Sequence, residues 1–169
     1  VTIYRRLTLR RSDGRTYLRR WALTVDRIGS IKLHRMEAPD PGEDLHDHPW
    51  TFWSLVLWGG YTEERTPTRQ ASADARAAAE VDEIRRILSD CPIDPTPRGK
   101  VVHRRRLSLR ALRLDECHRI VRLHRSPTWT LVVCGPRRRT WGFYPPEGYV
   151  PLDQYETKLS SRRDLETTK

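Results

Sequence analysis

His46 and His48, one residue apart, are the side chains in this sequence whose type and spacing best suit chemistry. On an extended strand, side chains two apart share a face. The pair would aim both imidazoles at one point, and neutral imidazole is a ligand for iron, zinc, copper and nickel. An apolar run from Phe52 to Trp58 follows and closes at Gly59-Gly60, where positive φ carries no Cβ penalty. The expectation is a strand bearing two ligands, a buried strand, a tight turn, and a hairpin return strand over Tyr61 to Glu64.

A third histidine, His118, lies within Glu116 to Leu123, which also reads as a strand. It is a third metal ligand or else a hydrogen-bonded core histidine. If it points inward, alternation places Glu116, Ile120 and Arg122 inward with it, and Cys117 and Arg119 outward. Glu116 then stands as a weak fourth ligand or a general base, with Tyr61 as a second candidate catalytic group. Arg122 has two readings of equal weight: a bidentate contact to a substrate carboxylate or phosphate, or a partner for a buried acid such as Glu63. Arg35, Trp50 and Trp58 complete the candidate substrate contacts. His34 could support the metal face, whereas His103 and His124 read as solvated. Arg137-Arg138-Arg139 after Gly135-Pro136 reads as a solvated hairpin tip. No Ser-His-Asp constellation, P-loop or dinucleotide-binding glycine pattern can be assembled.

The elements that must position these groups are short strands with turn signals between them. Residues 2–10 read as an edge strand, Ser12-Asp13-Gly14 as a turn, and Tyr17–Val25 and Ile31–Met36 as strands. Strands resume from Lys100 and recur over Thr128–Cys134 and Thr140–Tyr144. That spacing argues for a sandwich or barrel. The period changes once. Ala71 to Asp90 is rich in alanine and charge, with Ala77, Val81, Ile84 and Leu88 at helical spacing. Ser72 is the expected N-cap, Asp74 the first-turn acid, and Pro92, Pro95 and Pro97 the terminators. The expected fold is all-β, a jelly-roll barrel around an interior cavity, with one surface helix inserted at about 71–90. A single domain would span 1–156, followed by a polar tail at 157–169.

The stretch from His46 to Gly60 resembles the first motif of the cupins, in which a pair of histidines one residue apart precedes a glutamate and then a glycine. The glycine is present, but Phe52 and Trp53 stand where the glutamate belongs. In this the sequence is similar to cupins that hold metal with three histidines, such as the thiol dioxygenases. The segments HDHPW (46–50), GGY (59–61), HRIV (118–121), TWTLVVCGP (128–136) and RTWGFY (139–144) resemble a group of small single-domain cupins from phages and bacteria. Of the second cupin motif only the histidine, His118, survives. Arg113 and Asp115 replace its proline and glycine, and Arg122 its asparagine. The resemblance implies a cupin double-stranded β-helix with metal ligands His46, His48 and His118. It also implies a divalent metal, Fe(II) ahead of Zn, Mn or Ni.

Composition narrows the function classes. The 169 residues suit one domain with a proper core. The net charge is +10, with 28 arginines and 4 lysines spread along the chain. Such charge can serve nucleic acid, a membrane surface or an anionic small molecule, or reflect a GC-rich genome. Cys91, Cys117 and Cys134 fit neither a disulfide framework nor a zinc pattern, so reduced thiols and a cytoplasmic setting are expected. No apolar run approaches a membrane span, and the basic N-terminal residues precede no signal-peptide core. The leading expectation is a metal-dependent dioxygenase or related oxidoreductase acting on a small, anionic molecule, with an isomerase or lyase next. The second is a non-catalytic cupin holding a ligand or structural zinc in a phage or regulatory setting. The third and weakest is a basic nucleic-acid-binding module. A homodimer is compatible with a barrel of this size.

Overall fold

Alternation of side chains along the twelve strands of the described residues builds the fold, and the places where alternation breaks decide what faces inward. The computed structural model describes residues 1–11, 13–88 and 98–155, and of Arg85 and Leu88 the backbone only. Ser12, the end of the expected helix, Cys91, Pro92, Pro95, Pro97 and the polar tail lie outside the described residues. The strands are β1 (Thr2–Arg10), β2 (Thr16–Val25), β3 (Gly29–Met36), β4 (Leu45–His46), β5 (Phe52–Trp58), β6 (Gly60–Pro67), β7 (Lys100–Arg105), β8 (Leu109–Leu112), β9 (Glu116–Leu123), β10 (Thr128–Cys134), β11 (Gly142–Tyr144) and β12 (Val150–Pro151). They form two six-stranded antiparallel sheets, β1-β2-β3-β10-β5-β8 and β12-β11-β4-β9-β6-β7. The architecture is all-β, of the jelly-roll kind. The inner faces enclose Leu18, Met36, Val56 and Tyr61 at one level, and Phe52, Leu112, Val132 and Cys134 at another.

β5 and β6 do not form the expected hairpin. They belong to opposite sheets, and the chain crosses between them at Gly59 and Gly60, with φ of 79° and 146°. A Cβ on Gly59 would lie 2.4 Å from Thr128 Oγ1, the hydroxyl that accepts the Gly60 N–H. Only glycine turns this corner. The segment after β7 behaves alike: Leu107, at φ 62°, separates β7 in one sheet from β8 in the other.

β9 carries the most consequential irregularity. It pairs with β6 through Thr62↔Arg122 and then Glu63↔Ile120, so Val121 is an extra residue. Such a bulge reverses the facing of everything beyond it. His118 and Ile120 line the interior, whereas Arg122 is exposed and Leu123 packs on the core instead.

The helix α1 (Thr68–Leu88) lies outside the barrel against the second sheet, as its period suggests. It starts earlier than expected. Thr68 N–H donates to Asp115 O at 2.8 Å, so Ser72 is inside the helix rather than its cap. Asp74 is not in the first turn; its carboxylate accepts the Thr66 hydroxyl at 2.8 Å. The packing stripe also differs. Ala71, Ala75 and Ala78 are buried, while Ala77, Val81 and Ile84 are exposed. Methyl side chains let the first turns approach the sheet closely, covering Leu45, Cys117 and Tyr144. The later turns run free of the barrel face.

Two expectations follow. Ala75→Leu should cost about 1–3 kcal/mol by overpacking, and Ile84→Ala no more than about 0.5 kcal/mol, both by urea unfolding. Equal effects would show that α1 docks along its whole length. Burial, with the Asp47 charge behind it, pushes the Cys117 thiol up to about 12. Iodoacetamide at pH 8 should leave Cys117 unmodified in the folded protein and alkylate it in urea, read by peptide mass.

Candidate metal centre

The second sheet and the loop after β4 bring three imidazoles together. His46 ends the two-residue strand β4 and lies directly opposite His118 on β9. His48 follows in irregular backbone, kept on the same face by the residue between. The ring centroids are 5.1 Å apart for His46–His48, 4.9 Å for His46–His118 and 5.1 Å for His48–His118. One ligand atom from each lies within 4.8 Å of the others. His48 Nε2 and His118 Nε2 are 2.9 Å apart. Imidazole nitrogens bind such ions at about 2.0–2.1 Å, which puts two donors at right angles roughly 3 Å apart. The donor set therefore fits a divalent ion.

Its protonation fits as well. Burial lowers His46 to about 4 and takes His48 well below its ordinary value. Both rings are neutral at pH 7, with lone pairs free to coordinate. His118 is oriented from behind, its Nδ1 lying 3.0 Å from Glu63 Oε2. With that carboxylate ionised, Nδ1 carries the proton and Nε2 faces the centre. Burial opposes the Glu63 charge, but the hydrogen bond with His118 and the charges of His118, Arg104 and Arg65 hold its carboxyl below the usual value. Arg104 Nη1 is 3.3 Å from Glu63 Oε1, and Arg104 is itself fixed by Ser54 O at 2.9 Å and Ser108 Oγ at 3.1 Å. Glu63 supplies the carboxylate support common behind metal-bound histidine. At the positions of the missing acid, Phe52 is edge-on to His48 with centroids 4.8 Å apart and Trp53 is exposed; among the described residues the converging group is His46, His48 and His118.

The histidines border a cavity of about 120 Å³ between the sheets, walled also by Arg20, Lys32, His34, Asp40, Trp50, Phe52, Ser54 and Tyr61. Tyr61, the candidate catalytic hydroxyl, lies in this wall; burial and the Glu63 charge raise its hydroxyl to about 12, so it is a donor at neutral pH. Trp50 also lies in the wall. His34 takes a supporting place, accepting from Arg20 Nε at 3.0 Å.

Four expected site residues lie elsewhere. Arg122 is turned out by the bulge in β9. Arg35 alternates away from Lys32, His34 and Met36, pairs with Glu37 at 3.0 Å, and borders a surface groove with Arg11 and Arg15. Trp58 ends β5 on the outside, 48% exposed between the guanidinium groups of Arg106 and Arg125. Glu116 shares the His118 parity but lies beyond the cavity, at the start of β9. Its carboxylate is taken by Arg65 at 2.9 Å and by the Arg113 N–H at 2.9 Å. Arg20, Lys32 and Asp40 were missed, although strand alternation from His34 would have faced Lys32 inward, and alternation from the core residue Leu18 would have done the same for Arg20.

No family model matches the chain, and no curated protein matches it. Among solved structures it is similar to hydroxypropylphosphonic acid epoxidase from S. wedmorenis, at 10% identity and a TM-score of 0.45 over 77% of this chain. This chain spans 55% of that one. What the centre can do is argued from its own residues. Glu63→Gln keeps the shape of the side chain but gives His118 a neutral partner. Metal affinity, by competition with a chromophoric chelator, should fall roughly 10–100-fold. An unchanged affinity would mean that Glu63 serves only the Arg104 network.

Proposed function

We propose that this protein is a metal-dependent cupin enzyme, of the iron oxygenase or related oxidoreductase type, acting on a small molecule held in the cavity. The observation that carries the reading is the convergence of three imidazoles on a walled cavity with no carboxylate among the converging ligands. A bound ion there would supply open coordination positions for oxygen and substrate, or a Lewis acid for a carbonyl. Three imidazole ligands would leave the ion its full charge, and the resemblance to cupins with three histidines puts Fe(II) first, with Mn, Ni or Zn after it. An isomerase or lyase would use the same centre.

The chain's own residues have separate tasks in this reading. Glu63 keeps the proton on His118 Nδ1 and so fixes the ring that presents Nε2. Tyr61 remains protonated and offers its hydroxyl, in contact with Ser54, as a hydrogen-bond donor to a bound substrate. Trp50, Phe52 and Val132 exclude water from the wall. Glu116, engaged by Arg65, is not the general base.

Anaerobic loading with Fe(II), followed by metal analysis and electron paramagnetic resonance with nitric oxide, tests the proposal. One iron per chain is expected, with a nitrosyl signal reporting an open position. Loading should be lost in His46→Ala and His118→Ala. Iron that loads equally in both variants would overturn the ligand assignment. Zinc bound tightly with no open position would favour a non-catalytic cupin.

A further inference from the structure

Two cations in the cavity have no part in holding a metal. Arg20 on β2 and Lys32 on β3 both line it, from the sheet facing the one that carries His46 and His118. Lys32 is 7% exposed. Other cations held out of water among the described residues sit on carboxylates: Arg104 on Glu63, Arg119 on Glu64, Arg98 on Asp44. Arg20 and Lys32 depart from that pattern, and neither is in an ion pair among the described residues. Arg20 gives its Nε–H to His34, a contact that does not use the two terminal nitrogens of the guanidinium. Lys32 Nζ lies 3.6 Å from the ring centroid of Trp50, which holds the ammonium without neutralising it. Asp40, the acid in the wall, is turned to the Ile120 N–H at 2.8 Å. Burial lowers the pKa of both cations, offset only in part by Cys134, which is hydrogen-bonded to Lys32 and lies near both, and by Tyr17 near Arg20; no carboxylate contributes.

The sheet register brings the two together. Arg20 pairs with His34 and Ala22 with Lys32, so Arg20 and Lys32 are diagonal neighbours on the inner face. We infer that Arg20 and Lys32 form an anion subsite that holds a carboxylate or phosphate group of the substrate, whose other end is presented to the three histidines. The guanidinium supplies a planar fork and the ammonium a point charge, the two donors used for such oxyanions. The subsite itself stands on the cavity wall; its pairing with the histidines rests on the metal reading above. A cavity of about 120 Å³ suits a short molecule, and the two ends of the site call for an anionic group and a metal-binding donor on it.

The test uses inorganic phosphate and acetate as probes, titrated calorimetrically into the full-length protein at constant ionic strength, metal-free and with Co(II) loaded. Saturable binding of at least one anion is expected in the wild type. It should weaken at least tenfold in Arg20→Gln and in Lys32→Met, and be unchanged in Arg122→Gln. Co(II) affinity measured without added anion should survive in both cavity variants. Tighter phosphate than acetate would identify a dianionic group, the reverse a carboxylate. Should Arg20→Gln fail to fold, Lys32→Met decides, together with broadening of the phosphorus-31 resonance of phosphate in the wild-type Co(II) protein. Absence of saturable binding by either anion, or equal binding in the variants, overturns the inference. If Co(II) fails to load in the wild type, the metal reading falls, and the metal-free titration still decides the subsite.

Discussion

The geometry of the centre depends on Asp47, the residue between the first two histidines. Its side chain is wholly buried and accepts the Gly142 N–H at 2.8 Å, the Tyr144 hydroxyl at 3.0 Å and the Arg139 guanidinium at 2.8 Å. Its own N–H returns a bond to Gly142 O at 3.1 Å. A buried carboxylate is tolerable only when so surrounded, and these partners come from the far end of the chain. Because β4 is two residues long, nothing in the sheet ladder would hold His48 in place. Asp47, pinned on one side, forces both imidazoles to the other. Arg139, read in the sequence as part of a solvated hairpin tip, is recruited inward for this purpose.

This explains what the sequence made legible. The histidine pair announced itself because its spacing is local, and His118 because it lies in a segment of strand character. Both properties are visible within a few residues. The partners that hold them are not. Glu63 supports His118 across a distance of fifty-five residues in sequence, and Asp47 meets its donors across more than ninety. No local pattern distinguishes a carboxylate with such partners from a solvated one. The alternation rule failed at Arg122 for a related reason: one bulged residue, Val121, reverses the rest of β9, and a bulge leaves no signature in side-chain types. The helix was readable by its period, but its docking face was not, because alanine methyls rather than the larger Val81 and Ile84 make the contact.

The same physics accounts for the turn at Gly59-Gly60. Two glycines after an apolar strand read equally well as a hairpin turn or as a corner between sheets, since both need positive φ. What separates them is where the next strand finds its partners. β6 pairs with β7 and β9, and β5 with β8 and β10. That choice places Tyr61 and Glu63 across the cavity from the first sheet rather than beside Phe52. It also creates the space in which the site lies.

The division of charge between the sheets then has a consequence for binding. On the second sheet, the buried carboxylates Glu63 and Asp47 lie behind the histidines and are matched by arginines. On the first, Arg20 and Lys32 face the interior unmatched, and their charges already help to lower His48. A divalent ion entering such a cavity alone adds positive charge to positive charge at low dielectric. An anion between them reverses the sign of that interaction, because it is attracted to both. In the metal-and-anion reading, metal and substrate are therefore coupled ligands. Linkage requires each to strengthen the other by the same factor. The unpaired cations disfavour a bare ion, and they select for the ion that arrives with, or waits for, an anionic partner.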